Sequence, residues 1–323
     1  MEHSVFEAIR TELEQRVLVL DGAMGTMIQR LGLGESDYRT ERFATWPCAL
    51  SGCHDVLSLT RPDVIRRIHR LYLEAGADII TTNSFNTNAV SLREYGLDDI
   101  VYELSRQSAH LAREEADTFM LTPVAKPRFV AGSVGPGNKS LSLSSDITFE
   151  QLTNAYIPQI EGLLDGGCDI ILVETVFDLL NAKAATYAIE TVFERRQRRW
   201  PLMISATLSA HDGRLPSGHT LDEFVNSVSQ AMPLALGLNC SLGPKSLLPY
   251  IGHLSGLTQA FVSCHPNAGL PNAQGEYTES PETFAATIAK MMQAGHVNIV
   301  GGCCGTTPAH IRALHAAATS NEK

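Results

Sequence analysis

The chain has 323 residues, with 25 Lys and Arg against 35 Asp and Glu, so its formal charge is −10; 44% of residues are hydrophobic and 19% charged. That composition is globular and excludes a disordered or fibrous chain. The acidic balance argues against nucleic acid, which needs a cationic surface to release counterions. A chain of this length forms two ordinary domains or one large α/β barrel.

Residues 1–16, MEHSVFEAIRTELEQR, read as an acidic amphipathic helix rather than a secretory signal. Eight short, β-branched apolar runs follow: Val17–Met24, Ala77–Ser84, Arg128–Gly135, Asp169–Val176, Pro201–Leu208, Ala235–Cys240, Phe261–Asn267 and Val297–Cys304. Continuous apolar runs of this kind are the mark of parallel strands buried on both faces. Helical stretches alternate with them at Pro62–Ala75, Asn88–Asp117, Phe149–Asp165, Asp178–Arg195, Leu221–Ala231, Lys245–Leu254, Pro281–Ala294 and Pro308–Ala318. A faint repeat (EAGADII, DGGCDII, QAGHVNIV) places Gly76, Gly167 and Gly295 where a helix stops and a strand begins. Pro62, Pro281 and Pro308 sit near helix starts, with Thr60 and Ser280 as caps.

Eight strands alternating with eight helices predict an α/β fold: a single (β/α)8 TIM-type barrel over residues 1–323, with the first helix packing on or capping it. A doubly wound sheet is the competitor, but it carries a phosphate fingerprint after its first strand. Asp21-Gly22-Ala23-Met24-Gly25-Thr26 is not that fingerprint, and GSVGPGN (Gly132–Asn138) lacks the Lys-Ser/Thr of a phosphate loop and reads as a turn. The longest stretch without Asp, Glu, Lys or Arg, Ser246–Gly275, is broken by prolines and glycines, so no membrane span is expected. Seven cysteines, an odd number, suit a reducing cytoplasm better than a secreted disulfide framework. Arg195-Arg196-Gln197-Arg198-Arg199 reads as a solvated helix end.

In such barrels the reacting groups stand at the C-terminal ends of strands. Those ends carry Asp21, Asn83, Glu174, Asn239-Cys240, His265-Pro266-Asn267 and Cys303-Cys304. Three thiols and two carboxylates therefore converge on one face. Three thiolates suit zinc and leave one coordination position open, as in catalytic sites. Two other interpretations remain open: buried core cysteines, or a redox-active vicinal pair at Cys303-Cys304. Cys168 occupies the small position held by Ala77 in the repeat and is expected in the core. His265 reads as a packing or supporting residue, and His69, His110 and His315, on helices, as surface. Glu174 ends a buried strand, where a charge is costly unless a cation pairs it.

These residues carry a resemblance. The stretches LDGAMGTMIQ, ERFATWPC, EAGADIITTNSFN, VAGSVGP, DIILVETVFDLLNAKAA, GLNCSLGP, HPNAGLPNAQGEY and NIVGGCCGTTPAHI resemble the homocysteine-binding barrel of cobalamin-dependent methionine synthases, within the zinc homocysteine S-methyltransferase family. The resemblance implies Cys240, Cys303 and Cys304 as zinc ligands, and Asn267 as the group in the fourth zinc position when substrate is absent. It implies Asp21 and Glu174 as receivers of the ammonium of L-homocysteine, backbone at Gly22 and Ala23 facing its carboxylate, and Asn83 and Asn239 as pocket positions. It implies methylcobalamin as donor, with cobalamin-binding and methyltetrahydrofolate-binding modules lying in a separate chain or in a remainder beyond Lys323. The zinc-bound substrate thiolate is then the nucleophile and no protein general base is expected. The alternatives are the same barrel using S-methylmethionine or betaine, and a thiol redox or metal-holding module without transferase activity. The stretch Asn138–Phe149 is shorter than is usual in the family, which alters the rim where a donor docks.

Overall fold

The computed structural model describes residues 5–121, 126–144 and 146–320; the first four residues of the predicted N-terminal helix lie outside them. Eight strands, β1 (Leu18–Val19), β2 (Ile79–Thr81), β3 (Phe129–Val134), β4 (Ile170–Val176), β5 (Leu202–Ala206), β6 (Ala235–Asn239), β7 (Phe261–His265) and β8 (Ile299–Val300), each fall inside one of the predicted runs. All pair in parallel, in the order β1-β8-β7-β6-β5-β4-β3-β2. The ring closes between β1 and β2 through the parallel bridge Leu20↔Ile79, where the Asp21 N–H donates to Ile79 O at 2.9 Å and the Asp78 N–H to Val19 O at 2.7 Å. The molecule is a (β/α)8 barrel.

Helix α1 (Val5–Gln15) precedes β1, and α2 (Met24–Gln29), α3 (Glu35–Arg39), α4 (Leu57–Thr60) and α5 (Pro62–Glu74) lead to β2. Next come α6 (Ala89–Leu92), α7 (Val101–Met120), α8 (Phe149–Asp165), α9 (Leu179–Arg196) and α10 (Leu221–Val228). The last are α11 (Pro244–Leu257), α12 (Pro281–Gln293) and α13 (Pro308–Ser320). Pro62, Pro281 and Pro308 open their helices, and Gly76, Gly167 and Gly295 take φ of +103°, +93° and +69° at the helix-to-strand turns. Only glycine takes these values without strain.

Two apolar clusters hold the molecule. One lies between sheet and helices. The other fills the barrel interior with Leu18, Leu20, Ile79, Ala131, Ile170, Leu172, Met203 and Ile299, capped from below by Ile9 and Leu13 of α1. Helix α1 therefore plugs the end opposite the strand C-termini. Truncating this plug is costly: Ile9→Ala, at a fully buried position, is expected to lower unfolding free energy by about 2–4 kcal/mol, read by urea or thermal unfolding. Because side chains alternate along a strand, Ser133, Glu174 and Ser205 stand two residues beyond the apolar Ala131, Leu172 and Met203. The interior thus turns polar toward the C-terminal mouth.

Four expectations need correction. The predicted helix Asn88–Asp117 is broken: α6 is followed by 3-10 turns at Arg93–Tyr95 and Asp98–Ile100 before α7, because Gly96 sits at φ +66°. Thr60 is not the cap of α5; it belongs to α4, donating its hydroxyl to Val56 O, and Arg61 precedes Pro62. His69 is fully buried, four residues after Ile65 and three before Tyr72 on the inner stripe of α5, and burial lowers its pKa to about 3. His315 is half-buried against Gly76, whereas His110 is exposed as expected. The arginine run ends α9 as predicted, with Arg196 on Asp165 and Arg199 on Glu190. No described helix is long and apolar enough to cross a membrane.

Candidate metal centre

Cys240 follows β6 directly, and Cys303 and Cys304 lie three and four residues beyond β8, with only β7 between those strands. Their sulfurs meet: Cys240 Sγ is 3.8 Å from Cys304 Sγ, Cys303 Sγ is 4.0 Å from Cys304 Sγ, and all three lie within 4.8 Å of one another. Among the described residues this is the one such group of His, Cys, Asp and Glu. The backbone forces the meeting. Cys240 and Ser241 take φ of +60° and +56°, turning the chain sharply as it leaves β6. The Leu242 carbonyl then accepts from Asn267 N–H, the Pro266 carbonyl from Cys303 N–H at 2.7 Å, and the Cys304 carbonyl from Ala268 N–H at 2.9 Å. Three loops are laced together around the sulfurs.

The spacing fits a zinc ion. Zn–S bonds of about 2.3 Å in a tetrahedron put sulfurs about 3.8 Å apart, whereas a disulfide needs about 2.05 Å; all seven cysteines are free. The proton balance also fits. Cys304, in contact with the Cys240 and Cys303 thiols, is held below its ordinary value by its bonds to them. Cys240, whose bond with Cys303 is outweighed by donation to Cys304 and by burial, is pushed up to about 11, and Cys303 is raised well above its ordinary value by its bonds to both. A cation at the centre of the trio is what would release the thiol protons that the sulfurs otherwise share. Cys168, Cys53 and Cys264 are buried elsewhere, so Cys168 is in the core as expected.

Two carboxylates stand beside the sulfurs without a cation among the described residues. Asp21 is almost fully buried and accepts from Thr81 N–H at 2.8 Å and Thr81 Oγ1 at 3.0 Å. Burial raises its pKa well above the usual carboxylate range despite those bonds, and the charge of Glu174 adds to the rise. Glu174 accepts from Ser133 Oγ at 2.5 Å; burial, opposed by that bond and reinforced by Cys304, pushes it to about 7. The carbonyl of Asp21 accepts from Gly302 N–H at 3.0 Å, which fixes the first loop against the cysteine loop. At Gly22 a Cβ would come within 2.8 Å of Thr306 Oγ1 and 2.9 Å of the Tyr72 ring, so only glycine passes there. Ala23 N–H donates to Thr306 Oγ1 at 3.2 Å, and Thr306 Oγ1 donates to Cys303 O at 2.6 Å.

The three asparagines differ. Asn83 Nδ2 donates to His54 O at 2.8 Å and Ser58 Oγ at 3.2 Å, tying the first loop to the end of β2. Asn239 is fully buried and bonded to Thr175 and Ser205. Asn267 is buried with its Oδ1 unpartnered. His265 is buried, its Nε2 also without a partner. Sequence reasoning missed Thr81 and Ser133, which the two-residue alternation marks as inward polar positions, and Tyr72, Thr306 and Tyr277. Tyr277 packs over Gly305, whose Cβ would fall 2.3 Å from the tyrosine Cβ. Nothing local in the sequence marks that contact.

A half-buried carboxyl with a raised pKa weakens the fold when it ionises. In the unfolded chain Glu174 titrates near the ordinary 4.5, in the fold near 7. The native state therefore holds the proton more tightly, and stability present below pH 4.5 is lost as pH rises through 7. Glu174→Gln is expected to be more stable than the parent above pH 7 by about 1–3 kcal/mol, with little difference near pH 4.5. Thermal melts across pH 4.5–8 check this.

Fold and site together define a barrel enzyme with a thiol-rich, metal-competent mouth. The homocysteine S-methyltransferase family profile matches residues 18–318, and the chain belongs to that family. Among solved structures it is similar to the homocysteine methyltransferase MmuM from Escherichia coli in its metallated form, at 27% identity and a TM-score of 0.76 over 96% of this chain and 99% of that one. The oxidized form of the same protein matches at 26% identity and a TM-score of 0.76, with the same coverage. The carboxyl transferase domain of Rhizobium etli pyruvate carboxylase, at 14% identity and a TM-score of 0.50 over 98% of this chain and 49% of that one, shares the fold alone.

Proposed function

We propose that the chain methylates L-homocysteine to methionine, with the methyl group of methylcobalamin as donor, delivered by a cobalamin-binding module. The observation that carries the reading is the meeting, at one barrel mouth, of three sulfurs spaced for zinc and two carboxylates lacking a cation. An amino-acid thiol supplies what both halves lack: a fourth sulfur and an ammonium group. Cys240, Cys303 and Cys304 would hold zinc, and Asn267, with its free buried Oδ1, would fill the fourth position without substrate. Bound zinc supplies one thing, an acidified substrate thiol that stays an electron-rich thiolate at neutral pH. The protein side of the reaction is binding and orientation. Asp21 and Glu174 would hold the ammonium and the Gly22–Ala23 backbone would face the carboxylate, leaving the substrate sulfur free to attack the methyl carbon in line; the new carbon–sulfur bond forms as the carbon–cobalt bond breaks, its electron pair departing with the reduced cobalamin. Fixing that geometry is a positioning contribution and needs no protein base.

The donor assignment rests on the DGAMGTMIQ, VETVFDLLNAKAA and HPNAGLPN stretches, which resemble the cobalamin-dependent branch. A small sulfonium or ammonium donor is favoured by one observation: the homocysteine methyltransferase MmuM is matched over 99% of its chain, so there the barrel is the whole crystallised protein. Zinc analysis under reducing conditions, with homocysteine-dependent demethylation of methylcobalamin measured beside S-methylmethionine and betaine, separates these. Stoichiometric zinc and cobalamin turnover are expected; turnover with a small donor alone removes the cobalamin reading. A metal-free reduced protein removes the whole proposal in favour of a thiol redox module.

A further inference from the structure

We infer that Asn239 is the positioning residue that sets where the Glu174 carboxylate stands relative to the cysteine sulfurs, and so determines selectivity for a substrate that carries an ammonium group. The inference rests on the proposed role of Glu174 and goes beyond it.

The starting observation is an irregularity in the sheet. Between β4 and β5 the register runs Val173↔Ile204 and then Val176↔Ala206, so β4 advances three residues while β5 advances two. The extra residue falls at Glu174-Thr175, and Thr175 takes φ +58°. A β-branched residue in the left-handed region is rare and persists only where its surroundings impose it. Bulges commonly serve to re-aim a side chain beside a site. Here the bulge comes directly after Glu174, so the turn at Thr175 sets how far and at what angle that inward side chain is presented at the mouth.

Asn239 imposes it. The Thr175 N–H, which has lost its place in the ladder, donates to Asn239 Oδ1 at 2.9 Å. Ser205 Oγ donates to the same oxygen at 2.7 Å, and Asn239 Nδ2 donates to Thr175 Oγ1 at 2.8 Å. The amide thus grips the strained residue by backbone and side chain at once, and Ser205 fixes the amide. Asn239 is fully buried, so its hold on Thr175, rather than a surface contact, is its contribution. The next residue is Cys240, whose φ of +60° begins the turn that presents its sulfur. One side chain therefore joins the element carrying the carboxylate to the element carrying a sulfur. Few other residue types can replace it. Aspartate lacks the Nδ2 donor and would place a third carboxylate near Asp21 and Glu174; serine is too short to reach both atoms of Thr175.

The test uses binding to the zinc-loaded protein by calorimetry, with homocysteine and with 4-mercaptobutyrate, the same thiol acid without the amino group, and metal content read in parallel. The parent should prefer homocysteine by at least about tenfold. Asn239→Ala should lose most of that preference while its affinity for 4-mercaptobutyrate and its zinc content stay at the parent level. Asn239→Ala with Thr175→Gly should regain part of the preference, since glycine accepts φ +58° without a clamp. Ser205→Ala, which removes one of the three bonds and leaves the amide, gives a second route if Asn239→Ala does not fold: a preference reduced by a few-fold is expected. An unchanged preference in Asn239→Ala or in Ser205→Ala, or an equal loss of affinity for both thiols, overturns the inference. A parent protein that binds both thiols equally well overturns the ammonium assignment itself, which distinguishes that failure from this one.

Discussion

Cys303→Ala and Cys240→Ala are each expected to abolish zinc retention and methyl transfer while the barrel stays folded. The three sulfurs are the only group of their kind among the described residues, so no second cluster can hold the ion in their place. Zinc sites held by a few such ligands are worth roughly 10–16 kcal/mol in total, so losing one of three protein ligands weakens binding by about 300-fold to 10,000-fold. The fold should tolerate the loss. Both residues lie on loops past the strand ends, half-buried, and the ladder bonds that position those loops are made by backbone, not by sulfur. Cys264→Ala is the control: that residue is fully buried on β7 and away from the cluster. It should lower the melting temperature by a few degrees and leave metal content alone. Metal analysis, turnover and melting curves on the three variants read all of this. Full zinc and full turnover in Cys303→Ala or Cys240→Ala would show the ligand assignment to be wrong.

Much of this architecture is legible without coordinates. Strand positions follow from β-branched apolar runs because a parallel strand is buried on both faces, and helix boundaries follow from proline and glycine, whose backbone limits are intrinsic. The convergence of Cys240 with Cys303 and Cys304 follows from strand order alone. What escapes is whatever depends on a partner distant in sequence. Asn239 reads from sequence as a pocket position, and its bonds to Thr175 across the bulge are invisible there because a bulge leaves no periodic trace. Thr306 ties the first loop to the cysteine loop across some 280 residues of chain. A histidine on a helix reads as polar, yet the spacing of His69 from Ile65 and Tyr72 puts it on the buried stripe.

Asp21→Asn is expected to weaken homocysteine binding by about a hundredfold while zinc content stays stoichiometric. The substitution removes charge and little else: an asparagine oxygen can still accept from the Thr81 N–H that Asp21 binds at 2.8 Å, and the backbone bond from Gly302 to residue 21 does not involve the side chain. Asp21 is the more deeply buried of the two carboxylates, and its ionised form is the more heavily disfavoured by burial. An incoming ammonium reverses that cost, because a buried charge that gains a partner is stabilised far more than an exposed one. Loss of such a pairing is worth a few kcal/mol, which is about two orders of magnitude in affinity. Glu174→Gln should lose less, since Glu174 is the less buried residue and its carboxyl group is already close to ionising near neutrality. The double variant should lose less than the two single losses combined, because in the proposed binding mode both carboxylates serve one ammonium and the second substitution finds the contact already broken. Calorimetry on the zinc-loaded proteins measures all three. Equal affinity of Asp21→Asn and parent would remove the residue from the substrate site, and strict additivity would show that the two carboxylates do not share a ligand.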